Sequence, residues 1–391
     1  MRIARILTRL NLGGPARQAL ASDPRLVERG HAVRILTGES EPGEGDLSGE
    51  FARRGLDVVR IPGLARGVAP LRDLLVLGRL RRALDDFRPD LVHTHASKAG
   101  ALGRAALERS ASAQRMARVH TFHGHVLEGY FAPILARRLV AHERRLARRT
   151  DRVVAVSHAT AEDLLRLGVV DEEKLVVIQP GVELERFLAL PRPRAGGNAL
   201  RHELGAAGND VLVGVLGRLA EVKRPELALV VFSLLAPRRP ELSLVFVGDG
   251  EGRGALERSL RALPAELQRR AHLLGAREDL ANVLAGLDVL LLTSRAEGMP
   301  VSLIEGAAAG LPCVAMDVGG VGELVAHERT GFLGASVEEL ALGLEKLLLD
   351  PGERRAMGER ARLRVEHAHS AERLADRLEE LYRVVASERN P

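Results

Sequence analysis

The sequence predicts an α/β protein made of two doubly wound, parallel-sheet domains that face each other across a cleft, and three observations carry this. Short apolar runs alternate with longer segments of helical period from end to end, the pattern of parallel strands joined by crossover helices. The chain has 391 residues, more than a single hydrophobic core sustains, so two domains of about 150 to 200 residues each are expected. Around "LPRPRAGGNALRHELGAAG" Pro and Gly become dense and the period fades, which marks a linker between two strand series.

In order, the first series falls at residues 3–8, 32–37, 57–61, 91–94, 118–121, 153–157 and 175–178, with helices in most of the gaps. The opening "MRIARILTRL" is broken by Arg5 and Arg9 and reads as a first strand rather than a signal peptide. The second series falls at 211–216, 242–247, 272–274, 289–293 and 313–315. The last segment, "SAERLADRLEELYRVVASE", has a strong helical period and is expected to pack back on the first domain. The expected organisation is a first domain over 1–188 joined by the helix 371–391, a linker over 189–209, and a second domain over 210–370.

Composition narrows the function classes. The single cysteine, Cys313, rules out an intramolecular disulfide framework and suits a reducing cytoplasm. No window approaches the ~18 uninterrupted apolar residues of a membrane span, so a soluble or peripheral cytoplasmic protein is expected. The net charge of +5 is uneven: residues 1–190 carry +8 and the remainder −3. A basic first half suits an acidic substrate, an anionic membrane or nucleic acid. Aromatics are only 3%, too few for the stacking platforms of single-strand binding, which argues against nucleic acid.

The stretch "TSRAEGMPVSLIEGAAAGLPCVA" places Glu297 and Glu305 around a strand-to-helix turn. "LDVLLLT" before it reads as a buried parallel strand. Pro300 at a first helical position and Ser302 mark a helix start, and Gly310 and Pro312 end the helix. Glu297 then lies in the loop at the strand's carboxyl end, where open α/β sheets bind ligands, and Glu305 lies one to two turns into the helix. Two carboxylates beside an anion-favouring helix N-terminus suggest a ligand with both hydroxyls and phosphates.

Directly after the first strand, "NLGGPARQAL" sets Gly13 and Gly14 before a helix, a tight loop that lets backbone amides approach a bound group. It lacks the G-x-G-x-x-G spacing of a dinucleotide site. At the equivalent place in the second domain, "VLGRLAEVKRPELAL" brings Arg218 and Lys223 off a strand end. They are either a pair of cations for a diphosphate or two solvated charges flanking a helix start. His93, His95, His120, His123 and His125 gather at the ends of two strands. No acidic or Cys ligand accompanies them in a zinc spacing, so one histidine binding a substrate hydroxyl is expected in preference to a metal. The amphipathic segment over 134–149 carries Arg137, Arg138, Arg144, Arg145, Arg148 and Arg149 on its polar side. That is either a solvated face or a contact with anionic lipid headgroups.

Together with "VHTFHGHV", "VVAVSHATAEDLLRLGV" and "FVGDGEG", these motifs resemble, in order and over the whole chain, the retaining glycosyltransferases of the GT-B fold. The group is the large one, group four, that includes lipopolysaccharide, capsule and phosphoinositol mannosyl transferases. The Glu-x7-Glu spacing with its Pro and Ala/Gly helix is the specific part. The resemblance implies two Rossmann-like domains. It implies that Glu305 binds the nucleotide ribose and that Glu297 faces the hydroxyls of the donor sugar. The backbone from Gly298 through Met299 and Pro300 to Val301 would help hold sugar and phosphate. Arg218 and Lys223 would neutralise the diphosphate leaving group, Gly13 and Gly14 would close on it from the other domain, and Arg277 would lie beside the base. His123, in "TFHG", matches the histidine that contacts the donor sugar near the reacting centre. The chain departs from the family's Pro-Asn-Gly-Val-Asp at "QPGVELERF", although Gly181 and Phe187 remain.

The expected function is therefore transfer of a hexose or N-acetylhexosamine from a nucleotide sugar, UDP-linked by preference, to a saccharide or lipid-linked acceptor. It is expected to need no cofactor and no metal, and to work in the cytoplasm at or near the inner membrane face. The rival readings are a UDP-sugar epimerase or phosphorylase on the same fold, and a non-catalytic basic protein that binds nucleotide sugars or polyanions.

Overall fold

The computed structural model describes residues 1–41, 45–67, 69–110, 113–124, 127, 132–190 and 198–389. The chain divides into two units, Met1–Val182 with Ala371–Pro391, and Glu183–Ser370. The division falls after Val182, and the helix Ala199–Glu203, capped by Asn198, lies within the stretch expected as linker.

The first unit holds β1 (Arg2–Leu7), β2 (Ala32–Thr37), β3 (Asp57–Arg60), β4 (Leu91–His95), β5 (Ala117–Phe122), β6 (Arg152–Ala155) and β7 (Leu175–Val177). They form one sheet in the order β3-β2-β1-β4-β5-β6-β7 with every pairing parallel. β1 and β4 are neighbours where the winding reverses, the switch point at which such sheets bind ligands. One face packs under the helices Gly14–Glu28 and Ala371–Arg389, through Ile3, Leu26, Phe51, Leu378 and Tyr382. Arg29 ties the two helices together, bonding Asp376 at 2.6 Å and Glu379 at 2.9 Å. The opposite face buries Ile6, Leu36, Leu80 and Val92.

The second unit holds β8 (Val211–Leu216), β9 (Leu242–Val247), β10 (Ala271–Leu273), β11 (Val289–Leu292), β12 (Cys313–Met316) and β13 (Gly331–Gly334). This sheet is also all parallel, in the order β10-β9-β8-β11-β12-β13, and its switch point lies between β8 and β11. Its core centres on Phe232, Leu244, Phe246, Leu291 and Leu344. Cys313 is buried, which pushes its thiol up to about 12.

Expected and observed strands agree within about two residues, the usual uncertainty of element ends, and two of the differences are informative. The strand expected to reach Ser157 stops at Ala155, because the Ser157 hydroxyl accepts from Thr160 N as the N-cap of the next helix. The strand expected to reach Thr293 stops at Leu292, and Thr293 turns its hydroxyl onto a neighbouring loop. β13 was not expected at all: "GFLG" is four residues with Gly at both ends, and it lies at the sheet edge beside β12. Among the described residues no helix is long and apolar enough to cross a membrane.

Candidate functional site

In the second unit, the loops leaving the carboxyl ends of β8 and β11 are stapled together. Thr293 Oγ1 donates to the carbonyls of Lys223 (3.1 Å) and Arg224 (2.9 Å), and Arg224 Nε donates to Thr293 O at 3.1 Å. Arg224 accepts a left-handed backbone, φ 44°, to make this turn. The staple sets Lys223 Nζ 2.6 Å from Glu297 Oε1, which also accepts from Ser294 Oγ at 2.5 Å. Lys223 and Glu297 therefore meet directly. Sequence reasoning named both but missed Thr293, Ser294 and Arg224, whose role lies in hydrogen bonds between separate loops.

Arg218 follows Gly217 and approaches Glu251 at 3.4 Å. The "GDG" turn beneath it depends on close backbone approach: a Cβ on Gly248, at φ +144°, would sit 1.9 Å from Gly217 O. Pro300 proves to be the N-cap of the Val301–Ala308 helix, one position before the expected first helical residue, and among the described residues no side chain caps that end. Its first amides are thus open to an anion. Gly319 lies against the same turn, its absent Cβ 1.9 Å from Glu297 O. Gly298 O accepts from Gly320 N at 3.1 Å, and Met299 is buried. Glu305 is buried on this helix, with Arg186 Nη2 3.9 Å away. Arg277 is bound on both sides, to Asp279 at 2.8 and 2.9 Å and to Glu203 at 2.9 Å. The hydrogen bonds it donates to Asp279 and then Glu203 hold its guanidinium above its usual range, and Arg277 in turn holds Asp279 below the usual carboxylate range. In this arrangement Arg277 fastens the Ala199–Glu203 helix to the β10 end.

In the first unit, Gly13 is the N-cap of the Gly14–Glu28 helix, and its amide donates to Asn11 Oδ1 at 3.2 Å. Strand alternation divides the histidines. His120 faces one side, its Nδ1 2.9 Å from Thr94 Oγ1. His93 and His95 face the other and stack at 4.1 Å, and His123 stacks on His95 at 5.2 Å. His125 lies outside the described residues. Beneath the stack is a charge that sequence reasoning took only as a break in an apolar run: Arg5, buried on β1, paired with buried Asp23 at 2.6 Å. Burial pushes Asp23 up to about 6, against the pull of Arg5. Arg5 also donates to Tyr382 Oη at 3.1 Å. Tyr382 Oη also lies 2.5 Å from His93 Nδ1, and His93 Nε2 shares a hydrogen bond of 2.7 Å with Thr121 Oγ1. Burial, reinforced by nearby cationic charge, keeps the four described histidines of this cluster neutral, lowering His93, His95 and His120 well below the usual range and His123 to about 3. An Arg in "RIARIL" was the available signal, since a charge in a buried strand needs a partner.

The Pro133–Arg148 helix exposes all six arginines of its segment. Arg144 is tied to the carbonyls of Leu167 and Gly168, and Arg149 to Glu108. The same surface exposes Ile134 and Leu135 at the helix start, and the Pro70–Phe87 helix exposes Leu71, Leu74 and Leu75 at its own start.

Two family models match the chain: one described as glycosyl transferases group 1 over residues 198–364, and one described as glycosyltransferase family 4 over residues 12–186. The UDP-Gal:alpha-D-GlcNAc-diphosphoundecaprenol alpha-1,3-galactosyltransferase of Escherichia coli is 32% identical over 276 residues, covering 70% of this chain and 69% of that protein. The GDP-mannose-dependent alpha-mannosyltransferase of Mycobacterium tuberculosis is 31% identical over 314 residues, covering 79% and 76%. In fold, the chain matches the crystal structure of Anabaena HepE in complex with UDP and glucose, with a TM-score of 0.82, 22% identity and coverage of 98% and 100%.

Proposed function

Because the chain belongs to the group 1 glycosyltransferases, two-domain GT-B enzymes that use nucleotide sugars, we propose that it is a retaining, metal-independent transferase. In this reading it moves a hexose or N-acetylhexosamine from a UDP-sugar to a saccharide or lipid-linked acceptor. The observation that carries the reading is the Lys223–Glu297–Ser294 cluster beside the open end of the Val301–Ala308 helix. A cation, a carboxylate and unspent amides at a switch point match a ligand with one diphosphate and several hydroxyls.

When the donor enters, Lys223 and Arg218 turn to the diphosphate, and the backbone from Gly298 to Val301 holds its oxygens. Glu297, released from Lys223, accepts from the sugar's hydroxyls, while Glu305 accepts from the ribose. Gly13 and Gly14 approach the diphosphate, and His123 contacts the sugar. The bond from the anomeric carbon to the phosphate oxygen breaks as an acceptor hydroxyl attacks the same face. Its proton passes to the departing phosphate oxygen. Preorganised cations and amides meet the developing charge, and an electrostatic contribution of this kind is worth several kcal/mol. The two cations perform the neutralisation a metal would otherwise supply.

The E. coli relative, named for UDP-Gal and a diphosphoundecaprenol-linked acceptor, supports a UDP donor and a lipid-linked acceptor. The basic first half, the exposed Leu71, Leu74 and Leu75 at the start of one helix, and the exposed Ile134 and Leu135 on the helix that carries Arg137 and Arg138 support peripheral binding at the inner membrane face. The decisive experiment is a turnover screen of UDP-, GDP- and ADP-sugars in chelator, with product anomers read by NMR. One donor consumed, with its anomeric configuration kept, is the expected result. Turnover only after a divalent metal is added, or an inverted product, would overturn the corresponding part of the reading.

A further inference from the structure

His123 stands just past β5, and its Nδ1 is buried with no partner among the described residues. A buried donor or acceptor left unmade is costly, so such an atom at the carboxyl end of a parallel sheet points to a ligand. Which of the two it is follows from Arg5. A guanidinium carries donors only, so Arg5 Nη1, 3.0 Å from His95 Nε2, donates to that nitrogen. His95 then accepts at Nε2 and carries its one proton on Nδ1. That proton points to His123 Nε2, 2.9 Å away. His123 in turn accepts at Nε2, and its own proton must sit on Nδ1. Asp23 and Tyr382 hold Arg5 in place at 2.6 and 3.1 Å, so the start of the relay cannot swing away. Protonating either ring would set two donors face to face, in keeping with the depressed basicity of both.

We propose that Arg5 and His95 are positioning residues that lock His123 as the Nδ1–H tautomer, so that it donates a hydrogen bond to a hydroxyl oxygen of the donor sugar and cannot accept one there. The ligand half of this rests on the nucleotide-sugar reading above; the lock itself does not. His123 is thereby a selective group: a sugar position bearing an acceptor oxygen is bound, and one bearing only a C–H or an ammonium is refused.

The test is a long-range proton–nitrogen correlation spectrum of the full chain labelled with nitrogen-15 histidine, with His123 assigned by its loss in His123→Asn. The expected result in the ligand-free wild type is a pyrrole-type Nδ1 and a pyridine-type Nε2, with the Nδ1 signal moving when the nucleotide sugar selected by turnover is added. A pyrrole-type Nε2 would overturn the lock whatever the donor. A protonated Nδ1 that does not move with a donor that is turned over would overturn the donation. A protonated Nδ1 with no nucleotide sugar turned over at all would support the lock and remove the functional reading instead. In His95→Phe the two tautomers should mix and kcat/KM should fall about tenfold, the equivalent of one hydrogen bond, whereas Arg5→Lys, which keeps a donor, should retain the wild-type tautomer. An unchanged tautomer in a folded His95→Phe would remove the positioning role; if that variant does not fold, the wild-type spectrum alone decides.

Discussion

At the switch point of the first sheet the charged pair is sealed: the side chains of Arg5 and Asp23 are 2% and 0% exposed, and Arg5 also bonds His95 and Tyr382. At the switch point of the second sheet the pair is half open, with Lys223 30% exposed over a Glu297 that is 9% exposed. The same topology thus hosts two electrostatic designs. A buried pair cannot exchange partners without stranding a charge in a low dielectric, so it fixes geometry. A pair with one end in water can trade one partner for another at small cost, so it can receive a ligand. The first pair suits an orienting role, and the second suits exchange with a ligand.

The largest effect should come from breaking the sealed pair. Arg5→Met leaves Asp23 buried without its cation and should cost about 3–5 kcal/mol in urea denaturation. Arg5→Met combined with Asp23→Asn should recover a good part of that. If the single variant costs under about 1 kcal/mol, the first pair behaves like a surface pair and the contrast collapses. Next in size is Lys223→Met, which should lower kcat/KM about 10²–10³-fold, the effect of removing one group aimed at developing charge. Its stability should change by no more than about 1 kcal/mol, because Ser294 still serves Glu297. Full activity in Lys223→Met would take the leaving-group role from this residue.

The fold and the second site were readable from sequence to different depths. Twelve strands appear as short apolar runs because a parallel sheet buries both faces and leaves a continuous hydrophobic signal; β13, four residues bounded by Gly, is too short to give one. Glu297, Arg218 and Lys223 were legible as candidates because turn residues mark the loops that carry them, and Glu305 because Pro300 announces the helix that carries it. That Lys223 would pair with Glu297, 74 positions away, was not legible, because it depends on Thr293 and Arg224 bonding across two loops. The first site was half legible. The histidines stood out as a cluster, but their polarity comes from Arg5, Asp23 and Tyr382, scattered over 377 positions of sequence, and no local pattern links them.

The sealed side also predicts acid sensitivity. His120 is buried and its basicity is depressed, by burial first and then by Arg104. The folded form stays neutral below pH 6.5 while the unfolded chain takes up a proton. Stability should therefore fall with falling pH, by about 1.4 kcal/mol per pH unit for each such histidine. Asp23 works in the opposite sense: its folded value of about 6 exceeds the unfolded 3.8, so it adds stability as pH falls through that window. His120→Asn should remove one histidine's share of the slope between pH 6.5 and 5.5, measured by denaturation at several pH values. An unaltered slope would mean that His120 is protonated in the fold and that its face of the sheet is not sealed.

The smallest effect should come from a pair more exposed than either of the two compared above. Arg218 and Glu251 approach at 3.4 Å with 28% and 58% of their side chains in solvent, so their attraction is diluted by water and screened by salt. Glu251→Gln should move stability by less than about 1 kcal/mol. If Arg218 leaves Glu251 to meet a diphosphate, the same substitution removes a competitor, and the donor KM should drop about two- to fivefold at low ionic strength. The difference should vanish in high salt, where the competitor is screened in the wild type as well. A KM that rises in Glu251→Gln would mean that the carboxylate aims Arg218 rather than competing for it. The second sheet would then carry a fixed element of its own, and the division between an orienting and a binding sheet would have to be drawn within the second unit.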